Sequence, residues 1–231
     1  MDDLAKTVDA CAKLDLKNAA LGPEFYYKHL PLCVIDAVFS MGVRYAAVQK
    51  VVDRYCDSEI LTPYRDTAEL PDISAQENIS QFAFGMRVKG IPQYTEDVFK
   101  NKQRTSTRNG ILKGEAVYLF ACALEKEGIL YLQDAPLAIQ TDALRNAIQE
   151  IPGQKSGLSL DYFFMLAGSD DFIKADRLVR RFLENALGKP VSVADARILL
   201  SEAVDVLVSA YPAMTPRLLD HTIWKYQRQT L

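Results

Sequence analysis

The chain has 231 residues, of which 49% are hydrophobic and 25% are charged, and it carries a net charge of −3. This apolar content can fill one large core or two small ones. No stretch reaches the roughly 18 continuous apolar residues of a membrane span, and the charged N-terminus lacks the apolar core of a signal peptide. We therefore expect a cytoplasmic protein, nucleoid-associated if its source is bacterial, with no membrane partner. An acidic chain binds nucleic acid only through local positive charge.

Cysteine and histidine usage argues against a metal centre. The four cysteines, Cys11, Cys33, Cys56 and Cys122, form no C-x-x-C pair and lie in apolar helical contexts, as inert thiols do. The two histidines, His29 and His221, have no partner at helical spacing. The sequence therefore predicts no metal ligands, no iron–sulfur cluster and no cofactor.

Helical periodicity runs along nearly the whole chain, and strand-like alternation is scarce. The predicted helices, in chain order, are 3–14, 23–29, 31–41, 44–57, 74–89, 94–100, 109–127, 134–137, 140–150, 156–167, 174–186, 192–210 and 215–228. Glycine and proline separate them, and the loop-like stretch 57–73 has the composition of a surface insertion. Ser74 with Glu77, Thr141, and Ser192 with Asp195 are candidate N-terminal caps. The sequence predicts an all-α fold.

Positive charge is concentrated in residues 99–116, which we call the basic segment. Its cations precede the first acidic residue, Glu115, and are Lys100, Lys102, Arg104, Arg108 and Lys113. Short hydroxyl and amide side chains lie between them, and this mixture suits phosphate oxygens. The alternative is a solvated helix start capped by Thr107 or Asn109, although five uncompensated like charges repel one another.

Residues 151–157, which we call the hairpin, separate two predicted helices. Ile151-Pro152-Gly153 ends one helix, and Ser156 can start the next. Backbone N–H groups exposed at a helix start bind phosphate, and Lys155 adds positive charge. The alternative is a plain Pro-Gly connector between helices.

A single carboxylate, Asp176, follows among the cations Lys174, Arg177, Arg180 and Arg181. Two structural interpretations are open: a surface pair with Arg180 at i,i+4 spacing, or a cap on the helix that follows.

The order of these features resembles the helix-hairpin-helix DNA glycosylase superfamily, whose fold is endonuclease III-like. Ile151-Pro152-Gly153 matches the start of the family's hairpin, residues 158–167 match its helix, Gly168 matches its loop, and Asp176 falls where the catalytic Asp belongs. Two upstream stretches, residues 31–56 and 110–129, resemble helices that precede the hairpin in the family, and they occur in the same order. The resemblance covers about two thirds of the chain.

The resemblance implies a two-lobed helical fold, with a barrel lobe over residues 44–168 and a discontinuous lobe of residues 1–43 plus 169–231. It also implies a monofunctional glycosylase that hydrolyses the N-glycosidic bond of a damaged or modified base. Asp176 would stabilise the positive charge that builds on the sugar, or act as general base, and the nearby arginines would keep it ionised. A non-catalytic lesion-recognition protein of the same fold is the alternative, and an unrelated interaction module is a third. Lys155 replaces the usual second glycine, and Gly157 occupies the position of the lyase lysine, so lyase activity is not expected.

The expected partner is double-stranded DNA. Besides the catalytic Asp176, the expected DNA-contacting residues are Pro152, Gly153, Gln154, Lys155, Ser156 and Gly157 of the hairpin, with Lys102, Arg104, Arg108, Lys113, Arg177 and Arg44. Arg44 or Tyr45 lies near the position of a DNA gap-filling residue in the family. Six aromatic residues are candidates for either a base pocket or the core: Phe25, Tyr26, Tyr27, Tyr162, Phe163 and Phe164.

Overall fold

The computed structural model of the chain describes residues 2–229. Within this range no β-strand forms, and only two isolated bridges, Tyr27 with Tyr64 and Arg104 with Leu112, have strand-like pairing. The all-α prediction is confirmed. The α-helices are α1 (Asp3–Cys11), α2 (Leu30–Phe39), α3 (Tyr45–Glu59), α4 (Ile79–Lys89), α5 (Ile91–Tyr94), α6 (Lys113–Lys126), α7 (Ala135–Ile139), α8 (Asp142–Glu150), α9 (Leu158–Leu166), α10 (Arg177–Leu187), α11 (Val193–Leu207) and α12 (Pro216–Gln229).

Local capping chemistry explains where several helices begin. The Ser192 hydroxyl accepts from the Asp195 N–H at 3.1 Å and starts α11, as predicted. The predicted cap at Ser74 is wrong, because residues 73–75 form a separate 3₁₀ turn. Asn78 instead starts α4 with a capping box, in which its side chain accepts from the Gln81 N–H and its own N–H donates to the Gln81 side chain.

The chain forms two compact units. The central unit is continuous, Pro23–Gly168, and the terminal unit combines Met1–Gly22 with Ser169–Leu231. Residues 23–43 lie in the central unit, although the sequence-based division placed them in the discontinuous lobe. The physical reason is α2, which packs against α6 and α9 of the central unit.

The central unit is built around α2, whose ten residues are all buried. A helix that is buried on every side has to be surrounded by other elements. Aromatic rings fill the space beside it, with Phe39 and Phe99 at a centroid distance of 5.3 Å and Tyr55 and Phe82 at the same distance. Large aromatic surfaces of this kind dominate the stability of a core.

The terminal unit packs α1 against α10 and α11, and α12 against α10. Helix α10 is strongly amphipathic. Its buried side is formed by Val179, Phe182, Leu183 and Leu187, and its arginines lie on the other side. Gly188 ends the helix with a φ of 72°, a left-handed conformation that glycine adopts without strain.

Candidate nucleic-acid interface

The hairpin joins α8 to α9 by two consecutive tight turns. The N–H of Gln154 donates to the Ile151 carbonyl at 2.9 Å, and the N–H of Gly157 donates to the Gln154 carbonyl at 3.0 Å. Gly153 and Gly157 have φ values of 88° and 71°, a region that favours glycine. The sequence therefore provides glycine at both positions where the chain reverses.

The hairpin side chains divide into an exposed set and a buried pair. Pro152, Gly153, Lys155 and Ser156 are exposed. Gln154 is only 1% exposed, and its side-chain amide has no hydrogen-bond partner within residues 2–229. Gly157 is also buried, against the side chain of Gln149. Of the six hairpin residues predicted to contact DNA, Gln154 and Gly157 are therefore too buried to do so.

The basic segment begins as a closed loop rather than as a helix. An antiparallel bridge joins Arg104 to Leu112, and the N–H of Thr105 donates to the Ile111 carbonyl at 2.9 Å. Helix α6 therefore starts only at Lys113, with Leu112 as its N-cap residue and no side-chain cap. The predicted cap by Thr107 or Asn109 is wrong, because both residues lie in the loop.

The five cations of the basic segment have different environments. Lys113 is 2% exposed, and its Nζ donates to the carbonyls of Phe39 and Met41 at 2.8 and 2.7 Å. The prediction that Lys113 contacts DNA is therefore wrong. This lysine satisfies carbonyls at the end of α2, where a helix leaves them without intrahelical partners.

The other four cations are exposed. Lys102 pairs with Glu96 at 2.7 Å, and both side chains are mostly solvated, so the pair contributes little to stability. The Arg104 guanidinium donates to the Gly110 carbonyl at 2.6 Å, which fixes its direction. Lys100 and Arg108 complete the exposed set.

A direct contact joins the loop of the basic segment to the hairpin. The Thr105 hydroxyl donates to the Pro152 carbonyl at 2.6 Å. A Cβ added to Gly153 would lie 2.5 Å from the Thr105 side chain, so the two backbones approach too closely for any other residue. The loop of the basic segment, which carries exposed cations, is thereby placed beside the hairpin, which carries Lys155. We call this surface the cationic face, and it comprises Lys100, Lys102, Arg104, Arg108 and Lys155.

Arg44 lies in the same unit, in the connection between α2 and α3. It is exposed and is the N-cap residue of α3. Because the Lys113 ammonium binds the Met41 carbonyl, the start of α6 holds the connection that carries Arg44.

Asp176 is the N-cap of α10 in the terminal unit. Its Oδ1 accepts from the N–H groups of Leu178 and Val179 at 2.7 and 3.2 Å. The capping interpretation is confirmed. Asp176 is half-buried, and its Oδ2 accepts no hydrogen bond from any residue between 2 and 229.

The arginines that follow Asp176 are engaged elsewhere. Arg180 donates to the Val191 carbonyl at 2.8 Å and pairs with Glu184 at 3.4 Å. Arg181 donates to the side chain of Gln227 at 2.7 Å. The predicted pair of Asp176 with Arg180 is therefore wrong. Arg177 is exposed.

Most of the aromatic residues named as pocket candidates belong to the core. Phe25, Tyr27, Tyr162, Phe163 and Phe164 are buried. Tyr26 is the member of this set that reaches the surface.

Titratable groups away from the cationic face are shifted by burial. Burial raises the pKa of Glu77 to about 7, although a hydrogen bond from Tyr55 opposes the shift. Burial lowers the pKa of His29, whose Nδ1 accepts from the Glu77 N–H at 2.9 Å. The other ring nitrogen lies 3.1 Å from the Thr62 carbonyl, so the neutral ring protonated at Nε2 satisfies both contacts.

Between residues 2 and 229, no three or more histidine, cysteine, aspartate or glutamate side chains are grouped closely enough to hold a metal ion. The helices of this range are all too short or too polar to cross a bilayer.

These features define an all-helical protein with a hairpin-bearing cationic face on its central unit. The chain belongs to the family described as "Domain of unknown function (DUF8548)", whose model matches residues 5–228. Comparison with curated proteins and with solved structures finds no significant match.

Proposed function

We propose that this protein binds duplex DNA through the cationic face and acts as a monofunctional DNA N-glycosylase with an endonuclease III-like fold. The observation that carries the proposal is the contact of Thr105 with Pro152 and Gly153, because it joins the basic loop to the hairpin in one surface. The sequence suggested two separate phosphate-binding segments, and their contact supports the proposal that they act as one interface.

Phosphate binding at this surface has a simple physical basis. Lys155 and Ser156 are exposed at the hairpin turn, immediately before the first N–H groups of α9. The first turn of α9 is buried at Ser159 and Leu160 and carries Asp161, so exposed side chains rather than helix N–H groups would supply the attraction for phosphate. Lys100 and Arg108 on the adjacent loop add charge to this surface of an otherwise acidic protein. Contacts of this kind position a duplex without reading its sequence.

Asp176 is the proposed catalytic residue. One of its oxygens is held by the helix start, which fixes the carboxylate, and the other accepts no hydrogen bond within the described residues. Breaking an N-glycosidic bond builds positive charge on the sugar, and a fixed carboxylate stabilises that charge and orients a water molecule. The target nucleotide has to leave the base stack for this reaction.

The proposal includes no lyase step. The position of the family's lyase lysine is occupied by Gly157, whose φ of 71° strains any other residue. An added Cβ there would also lie 3.2 Å from the Gln149 side chain. The hydrolytic route needs no amine nucleophile.

A non-catalytic DNA-binding protein is the second candidate, and one observation favours it. Two hydrogen bonds to the backbone of α10 are a sufficient structural reason for a carboxylate at position 176. The same residue would be needed for the helix even if no base were ever released.

A panel of duplexes with damaged or modified bases tests the proposal. We expect salt-dependent binding and release of at least one base. Asp176→Asn should lose base release by about 100-fold or more, the scale of a positioned charge or base. Asparagine caps helices as well as aspartate does, so the fold should be kept.

Asp176→Ala serves as the companion variant, because it removes the cap and should cost about 1 kcal/mol of unfolding free energy. Wild-type binding without release of any base would support the second candidate. The absence of salt-dependent duplex binding would reject both.

A further inference from the structure

An open depression of about 290 Å³, which we call the cavity, lies on the surface of the central unit between two segments that are far apart in sequence. Its principal lining residues are Tyr26, Tyr64, Arg65, Asp66 and Thr67. Pockets for drug-sized ligands occupy about 300–1,000 Å³, so this one suits a ligand of a single ring system.

The walls of the cavity are fixed before any ligand arrives. Residues 26–28 and 63–65 pair through their backbones, with N···O distances of 2.9 Å from Lys28 to Pro63 and 2.8 Å from Arg65 to Tyr26. The Tyr64 ring stacks on Tyr27, with centroids 5.4 Å apart and an interplanar angle of 14°. A preformed wall spares the ligand the cost of ordering it.

Arg65 is fixed in the same way. Its guanidinium donates to the Tyr27 carbonyl and lies 5.7 Å from the centroid of the Tyr26 ring. The cavity thus presents aromatic rings and a guanidinium, which are surfaces that flat heterocycles contact well.

Polar groups at the cavity decide what kind of flat ligand fits. Asp66 and Thr67 are exposed, and neither side chain forms a hydrogen bond or ion pair within the described residues. A carboxylate repels phosphate and other anions, and it accepts from N–H donors. The Arg65 guanidinium is directed at the Tyr27 carbonyl, whereas the Asp66 carboxylate is exposed to accept from a ligand. Aromatic surfaces combined with this acceptor favour a heteroaromatic ring that carries an amino group.

We propose that this cavity binds a nucleobase bearing an exocyclic amino group, which stacks against the tyrosines and donates to the Asp66 carboxylate. Acceptance by aspartate from an exocyclic amine is an established mode of base recognition. The cavity would then discriminate by the amino group rather than by ring size.

The cavity and the hairpin are linked through α9. Residues 23–26, which form one side of the cavity, pack on α9, and Phe25 meets Tyr162 of that helix edge to face at 6.4 Å. The identification of the ligand as a base of bound DNA rests on the proposed function. The affinity of the cavity for a free nucleoside does not.

Matched pairs of nucleosides test the inference by nuclear magnetic resonance on the isotope-labelled full chain. Guanosine is compared with inosine, and cytidine with uridine, since each pair differs by the amino group. We expect guanosine and cytidine to shift the amide signals of residues 23–28 and 62–68. Inosine and uridine should bind roughly tenfold more weakly, the factor for loss of one charge-assisted hydrogen bond.

Two variants localise the effect. Asp66→Ala should abolish the preference for the amino-bearing nucleosides, and Tyr64→Leu should weaken all four. Glu69→Gln, an exposed neighbour in the same loop that does not line the cavity, is the control and should change nothing.

The inference is overturned if guanosine and cytidine cause no shifts at about 10 mM, a weak limit for a single ring system. Equal binding of both members of each pair, or shifts confined to other residues, would overturn it as well. Duplex binding without nucleoside binding rejects the cavity alone. Nucleoside binding at residues 62–68 without duplex binding supports the cavity and rejects the proposed function.

Discussion

The basic segment of the central unit and the arginine-rich start of α10 both place several cations within a short stretch of sequence. In the basic segment, Lys100 and Arg108 are exposed on a loop. In α10, Arg180 and Arg181 are half-buried and donate to groups on other parts of the terminal unit. The same kind of charge cluster therefore forms a surface in one unit and a set of structural contacts in the other.

The difference follows from the backbone that carries the charges. A loop closed on itself satisfies its own backbone groups and leaves long side chains in solvent. A packed amphipathic helix brings its flanking arginines next to polar groups, which are Gln227 of α12 for Arg181 and the carbonyl of Val191 for Arg180. Arginine is suited to this use because its planar guanidinium makes several directed hydrogen bonds. Local cation density alone does not identify a nucleic-acid interface.

The largest expected effect concerns the one cation of the basic segment that is buried. Lys113→Ala removes two charge-assisted hydrogen bonds to the end of α2 and leaves a cavity, so we expect the free energy of unfolding to fall by about 3 kcal/mol. Urea denaturation measures this. Lys102→Ala in the same segment should change stability by less than about 0.5 kcal/mol. Equal losses for the two variants would contradict the assignment of Lys113 to the core.

The next effect is on DNA affinity rather than stability. Combining Arg108→Ala with Lys155→Ala removes two exposed charges of the cationic face. We expect duplex affinity to fall roughly tenfold, about 1.4 kcal/mol, and the slope of log affinity against log salt to decrease by about 2. Fluorescence anisotropy over a series of salt concentrations measures both. An unchanged salt slope would remove the hairpin and its loop from the interface.

Arg181→Ala is the matched test in the terminal unit. This variant loses hydrogen bonds to the side chain and carbonyl of Gln227, and we expect a loss of about 1 kcal/mol in unfolding free energy. Its duplex affinity and salt slope should equal those of the wild type. A reduced salt slope would show that Arg181 contacts DNA and that the two cation clusters are used alike.

The smallest expected effect is on the pH dependence of stability and concerns a carboxyl group, Glu77. The pKa of Glu77 is raised to about 7 in the folded protein, above its usual value of 4.5, mainly by burial. Because the folded protein holds this proton more tightly than the unfolded chain does, the carboxyl group contributes stability. The contribution is complete below pH 4.5 and is lost as the pH rises through about 7.

Glu77→Gln should therefore gain stability relative to the wild type between pH 5 and pH 8, by up to about 1 kcal/mol. The substitution keeps the backbone N–H of residue 77, which donates to Nδ1 of His29. We therefore expect the pKa of His29 to be the same in both proteins. Urea denaturation at the two pH values gives the difference. A difference that does not vary with pH would show that Glu77 titrates normally.

Sequence by itself determined the helical class, the hairpin and the Ser192 cap, because each depends on residues within a few positions of one another. Apolar periodicity, glycine at a reversed turn and a hydroxyl that accepts from the N–H three residues later all act locally. Asp176 as a helix cap was one of two local alternatives, and only the engagement of Arg180 with Val191 excluded the other.

Tertiary structure alone decided which polar residues are available. Thr105 and Pro152 are 47 positions apart, and Lys113 and Phe39 are 74 positions apart, so no local pattern indicates either contact. The buried lysine and the exposed cations of the basic segment cannot be distinguished in the sequence, because the carbonyls that bind Lys113 belong to a distant part of the chain. Burial and hydrogen bonding between remote elements separated them, and they also built the cavity between residues 26 and 64.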